Sequence, residues 1–145
     1  MLIAQITDTH VGFDRGNPDE ANFRRLTAAV RHLAEGPNRP DLVLLTGDLT
    51  EFGDGDSYVR LAEAVRPCPC PVWPMVGNHD ARAALLAGFP DTPLAGGFVQ
   101  YALEFDALPL LVLYTLEPGR HGGAFCADRA AWLKARLAER PDVPA

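Results

Sequence analysis

Three short apolar runs, at residues 2–6, 42–45 and 72–76, show little alternation between hydrophobic and polar positions. That is the pattern of strands buried on both faces, and it predicts the strands of a parallel sheet. Between them the hydrophobic period lengthens. Phe23, Leu26, Val30 and Leu33 recur at helical spacing, so a helix is expected with Asn17 as its cap, Pro18 at its first position, Asp19 and Glu20 in the first turn, and a stop at Gly36-Pro37. A second helix is expected from near Asp56-Ser57 to just before Pro67, with Leu61, Ala62 and Val65 turned inward. Alternating strands and helices imply right-handed crossovers and helices packed on a parallel sheet.

The pattern then changes. Residues 98–105 and 108–116 are two β-rich runs joined by the short Asp106-Ala107 connection, which predicts an antiparallel hairpin. After a glycine-rich stretch at 118–123, a last helix is expected over residues 128–139, with Ala130, Leu133 and Leu137 on one face. No repeat and no linker divides the chain, so its 145 residues are read as a single domain.

Composition narrows the function classes. The chain is 48% hydrophobic and 22% charged, the balance of a folded globular protein. No apolar run approaches the roughly 20 residues needed to span a bilayer, and the first six residues lack the basic flank of a signal peptide, so a cytoplasmic location is expected. A net charge of −6 disfavours partnership with a nucleic acid polymer or an anionic membrane. Cys68, Cys70 and Cys126 are an odd number without export signals and argue against a disulfide framework. Cys68-Pro69-Cys70 reads as a loop rather than a metal site, because no further Cys or His accompanies it.

The chemistry gathers where the apolar runs end. Asp8-Thr9-His10 follows the first, Gly47-Asp48 the second, and Gly77-Asn78-His79-Asp80 the third. In an open α/β sheet the ligand site lies beyond the carboxyl ends of the parallel strands, so these blocks are expected to converge. Asp8 and His10 supply a hard oxygen and an imidazole nitrogen, Asp48 a carboxylate able to bridge two ions, and Asn78 a neutral amide oxygen. Singly, each of these residues is as well explained by a helix cap or a turn. Their conjunction at successive strand exits is not. His32, among charged neighbours on a helix, and His121, in the glycine-rich loop, are left outside the set.

In order and spacing these blocks resemble the calcineurin-like metallophosphoesterase superfamily, and more narrowly the bacterial class III cyclic-nucleotide and glycerophosphodiester phosphodiesterases. The resemblance runs through Gln5 to His10, Leu45 to Thr50 and Met75 to Asp80, and extends to the loop from Leu116 to Gly123, although Tyr114 stands where an aspartate is common. It implies an α/β fold, the N-terminal part of the four-layer α/β/β/α metallophosphoesterase sandwich. It also implies hydrolysis of a small phosphodiester by a bridging hydroxide at a dinuclear centre of first-row divalent ions (Mn, Fe, Co or Zn). Asp8 and His10 would hold the first ion, Asp48 would bridge, and Asn78 would hold the second. His79 would act on the phosphate or the leaving group, with Asp80 orienting its ring.

Members of that superfamily continue into histidine-bearing blocks that complete both metal sites, and the sequence stops at Ala145 before either. The resemblance therefore implies an incomplete second site, impaired activity and an uncovered sheet edge that favours a homo-oligomer. A catalytically weak metal- or phosphate-binding module, or a fragment that needs a partner chain, is the alternative expectation.

Overall fold

A computed structural model describes residues 1–106 and 108–145, which divide into two compact units, 1–92 and 93–145. In the first, β1 (Ile3–Ile6), β2 (Leu42–Thr46) and β3 (Val72–Met75) form a parallel sheet in that spatial order. Ile3 pairs with Leu42 and Val43 with Val72, which brings all three carboxyl ends to one side. Leu42, Val43 and Leu45 of β2 are buried, in accord with their near-continuous apolar pattern. The connections are α1 (Ala21–Glu35) and α2 (Gly55–Val65), and α2 packs on α1 and on the short α3 (Arg82–Gly88) that follows β3.

Both long helices depart from their expected starts. Asn17 does not cap α1: its side-chain oxygen accepts from the Asp19 amide at 3.0 Å, so Asn17-Pro18-Asp19 forms a local turn ahead of the helix. Glu20 occupies the cap position, but its carboxylate turns back to the Gly12 and Asp14 amides. The helix stops at Gly36 as expected, with Leu26 and Val30 buried. α2 begins earlier than Asp56-Ser57, because Asp54 is its cap, accepting from the Ser57 amide at 2.9 Å and the Ser57 hydroxyl at 3.0 Å. α3 escapes the sequence pattern: it has seven residues and no capping side chain at Ala81.

The second unit holds the hairpin, β4 (Tyr101–Leu103) antiparallel to β5 (Leu110–Val112), with Tyr101 opposite Val112. The ladder is shorter than the β-rich runs. Pro109 brings no N–H to extend it, and of the expected Asp106-Ala107 connection Ala107 lies outside the described residues. The last helix, α4 (Ala127–Glu139), keeps Ala130 and Leu133 half-buried on the expected face but departs from it at its far end. Leu137 is exposed and the buried residue is Arg129, whose guanidinium donates to the Tyr114 carbonyl at 2.8 Å and lies 5.0 Å from the Phe98 ring centre.

Candidate metal centre

The two loops that leave β1 and β2 continue the strand register beyond the strands. The Asp8 amide donates to the Gly47 carbonyl at 3.1 Å, His10 to Asp48 at 3.0 Å and Val11 to Leu49 at 3.0 Å, and Glu51 returns a bond to Val11 at 3.0 Å. The buried Thr9 hydroxyl donates to the Leu49 carbonyl at 2.6 Å, and the Asn22 side chain of α1 donates to the His10 carbonyl at 3.1 Å. This zipper holds the backbones at 8, 10 and 48 side by side. One ligand atom from each of Asp8, His10 and Asp48 lies within 4.8 Å of the others. Among the described residues, these are also the non-glycine residues with positive φ: 54° at Asp8, 42° at His10 and 48° at Asp48.

The third loop is tied to the second. The His79 amide donates to Asp48 Oδ1 at 3.0 Å, and Gly77 is needed for that approach, since a Cβ there would stand 2.2 Å from the same oxygen. Asp80 is buried and accepts from the Leu49 amide at 3.1 Å, the Thr50 amide at 3.2 Å, the Gly77 amide at 2.8 Å and the Tyr58 hydroxyl at 2.7 Å. Burial pushes its carboxyl above the ordinary value, and these donors pull against that push. The expected role of Asp80 is thereby corrected: its carboxylate fastens two loops to α2, while the ring of His79 is held elsewhere, its Nδ1 2.9 Å from the Glu51 carbonyl. Asn78 stands exposed in the turn between Gly77 and His79.

A calcineurin-like phosphoesterase profile matches residues 1–143. The chain belongs to the calcineurin-like phosphoesterase family. It is 37% identical over 147 residues to a probable cyclic nucleotide phosphodiesterase of Rhodopseudomonas palustris, covering 97% of this chain and 53% of that protein. With the cAMP/cGMP dual specificity phosphodiesterase of Mycobacterium tuberculosis it shares 34% identity, covering 94% of this chain and 45% of the other. The glycerophosphodiester phosphodiesterase of Enterobacter lignolyticus is 30% identical, with 99% and 54% covered. The chain thus spans about half the length of these curated relatives. No helix among the described residues is long and apolar enough to cross a membrane.

Within this family member, the residue that sequence reasoning missed is Glu51. Its carboxylate lies 2.8 Å from His10 Nδ1 and 3.9 Å from His79 Nδ1, and the two imidazoles meet edge to face with centres 4.8 Å apart. Because a carboxylate and a carbonyl only accept, Nδ1 carries the proton in both rings, which leaves the Nε2 atoms for other partners. The Glu51 carbonyl raises the His79 pKa above its usual value; partial burial opposes this, and the charges of Asp48, Glu51 and Asp80 add to the rise. The signal in the sequence was spacing alone: Glu51 follows Asp48 by three residues in the segment that leaves β2.

The donor set fits a divalent first-row ion. It mixes carboxylate oxygens with an imidazole whose Nε2 lone pair is set by a carboxylate behind it, the usual arrangement around a ligating histidine.

Proposed function

We propose that this chain carries the phosphodiester-hydrolysing centre of its family, with Asp8, His10 and Asp48 holding one divalent ion and Asp48 with Asn78 reaching a second. The observation that supports this reading best is the convergence of Asp8, His10 and Asp48 within 4.8 Å on one side of the parallel sheet. Bound there, the ions supply positive charge for phosphate oxygens and a water acidic enough to attack phosphorus.

The chain's own groups do the rest. Glu51 fixes the His10 ring with Nε2 free to ligate. The Glu51 carbonyl fixes His79 with its proton on Nδ1, and the raised pKa favours a second proton on Nε2, which is then available to the departing alkoxide. The exposed carboxamide of Asn78 adds a ligand oxygen with no charge to repel an anionic diester. In a protein of net charge −6 that economy matters. The substrate class suggested by the relatives is a small phosphodiester, cyclic nucleotide or glycerophosphodiester.

Elemental analysis of the purified chain after equilibration with Mn²⁺, paired with hydrolysis of bis(p-nitrophenyl) phosphate, tests the reading. Metal uptake and turnover that both disappear in Asp48→Ala are expected. Failure of the wild-type chain to take up metal at millimolar Mn²⁺ overturns it.

A further inference from the structure

Among the described residues, two overlapping groups of side chains bring their ligand atoms within 4.8 Å of one another: Asp8, His10 and Asp48, and a second made of His10, Glu51 and His79. The hydrolytic reading uses the second group only as a brace for the first. Its spacing suits an ion of its own. Glu51 Oε2 stands 2.8 Å from His10 Nδ1 and 3.9 Å from His79 Nδ1. Two ligands on a tetrahedral zinc ion, each about 2.0–2.1 Å from the metal, are about 3.4 Å apart, and the two observed distances bracket that value. The side chains of His10, Glu51 and His79 are 25%, 18% and 30% exposed, so an ion reaches them without any unfolding. The group is also assembled by the backbone rather than by a chance meeting of long side chains: the His10 amide donates to the Asp48 carbonyl, the Glu51 amide to the Val11 carbonyl and the His79 amide to Asp48 Oδ1, each at 3.0 Å.

The two groups differ in the metal they favour. Asp8, His10 and Asp48 offer two carboxylates and one imidazole, a set that an oxygen-seeking ion such as Mn²⁺ accepts. His10, Glu51 and His79 offer two imidazoles and one carboxylate, three ligands of the kind that hold zinc with a fourth position left to water. His10 belongs to both groups and serves one at a time. A neutral imidazole has one N–H and one lone pair. While the His10 proton sits on Nδ1 against Glu51, the lone pair on Nε2 is free for the first group. An ion on Nδ1 sends that proton to Nε2, and Nε2 then ligates nothing. The same exchange reaches His79: with an ion on Nδ1 in place of its bond to the Glu51 carbonyl, the ring holds one proton and cannot take up a second.

We infer that His10, Glu51 and His79 form an inhibitory zinc site, which captures His10 from the hydrolytic ion and His79 from the leaving group. The ligand set rests on the geometry of the three side chains alone. Its inhibitory effect rests on the hydrolytic reading of the neighbouring centre.

The test separates the two. The full chain, ¹⁵N-labelled at histidine and free of metal, is titrated with Zn²⁺ at mildly alkaline pH while the ring nitrogens of His10 and His79 are followed by NMR. Without metal both rings are expected as the Nδ1–H tautomer, and zinc should convert both to Nε2–H. The conversion should persist in Asp8→Asn, which weakens the other group, and the His10 ring should need about 10-fold or more extra Zn²⁺ in His79→Ala and in Glu51→Gln. Zinc that leaves His10 as Nδ1–H has gone to the Asp8 group and overturns the ligand assignment, as does an unchanged titration in both of the last two variants. A second titration starts from the chain loaded with Mn²⁺. Zn²⁺ should release Mn²⁺, read as the free ion by electron paramagnetic resonance, at the concentration that converts the rings, and hydrolysis of bis(p-nitrophenyl) phosphate should fall in step. Rings converted with Mn²⁺ retained overturn the exclusion. If the chain takes up no Mn²⁺, the hydrolytic reading and the inhibition fail together, and the tautomers of the metal-free titration still decide whether the zinc site exists.

Discussion

His10 Nδ1 and the Glu51 carboxylate lie 2.8 Å apart, and the second of these residues comes from a different strand exit than the first. The contact sets the tautomer of His10 and so the direction of its free nitrogen. Glu51→Ala should lower Mn²⁺ affinity about 10–100-fold, the usual cost of losing a partner behind a ligating histidine. Titration calorimetry giving the wild-type affinity would show that the bond is incidental to metal binding.

Asp48 and His79 should separate metal from chemistry. His79 reaches Asp48 through its backbone amide, which alanine retains, so His79→Ala is expected to keep its metal while losing about 10²–10⁴ in kcat. Asp48→Ala should lose both. Metal content and turnover measured on the same preparations check the pair, and a metal-free His79→Ala protein would contradict the division.

Asp80 makes a prediction about stability. Asp80→Ala strands the Tyr58 hydroxyl and the Gly77, Leu49 and Thr50 amides, at a cost of about 3 kcal/mol or more. Thermal unfolding should drop by several degrees. A melting temperature matching the wild type would mean that water replaces the carboxylate without loss.

The cysteines should react in a fixed order. Hydrogen bonds from the Arg129 amide and guanidinium hold the exposed Cys126 thiol below its usual pKa, whereas burial pushes Cys68 up to about 11 and also raises Cys70. A lowered pKa means more thiolate at neutral pH, so iodoacetamide should modify Cys126 first and Cys68 last. The gap should narrow as pH rises toward the Cys68 value. Peptide mapping of a time course checks this, and equal rates at pH 7 would refute it.

The sheet was legible in the sequence because its strands are buried on both faces and therefore read as unbroken apolar runs. The polar blocks at their ends were legible because strand exits in a parallel sheet share one side. Helix starts were not, since Asn17 and Glu20 spend their side chains on a turn and on the neighbouring loop instead of on α1. Glu51 was missed because a single acid in a loop carries no periodic signal; only the folded register brings it beneath His10. Asp80 misled because its place after His79 in the chain suggests a partner for the ring, whereas burial and the surrounding amides claim its oxygens.

The left-handed backbone at Asp8, His10 and Asp48 has a consequence for how such a centre evolves. Residues other than glycine held there cost about 1–3 kcal/mol each, and glycine would sit at those positions with less cost. Random mutagenesis selected solely for heat tolerance, with no demand for hydrolysis, should therefore enrich Gly at positions 8, 10 and 48. On the proposed function these residues persist only while something rewards metal binding, so drift toward glycine at these sites would be an early mark of a lineage that has abandoned it.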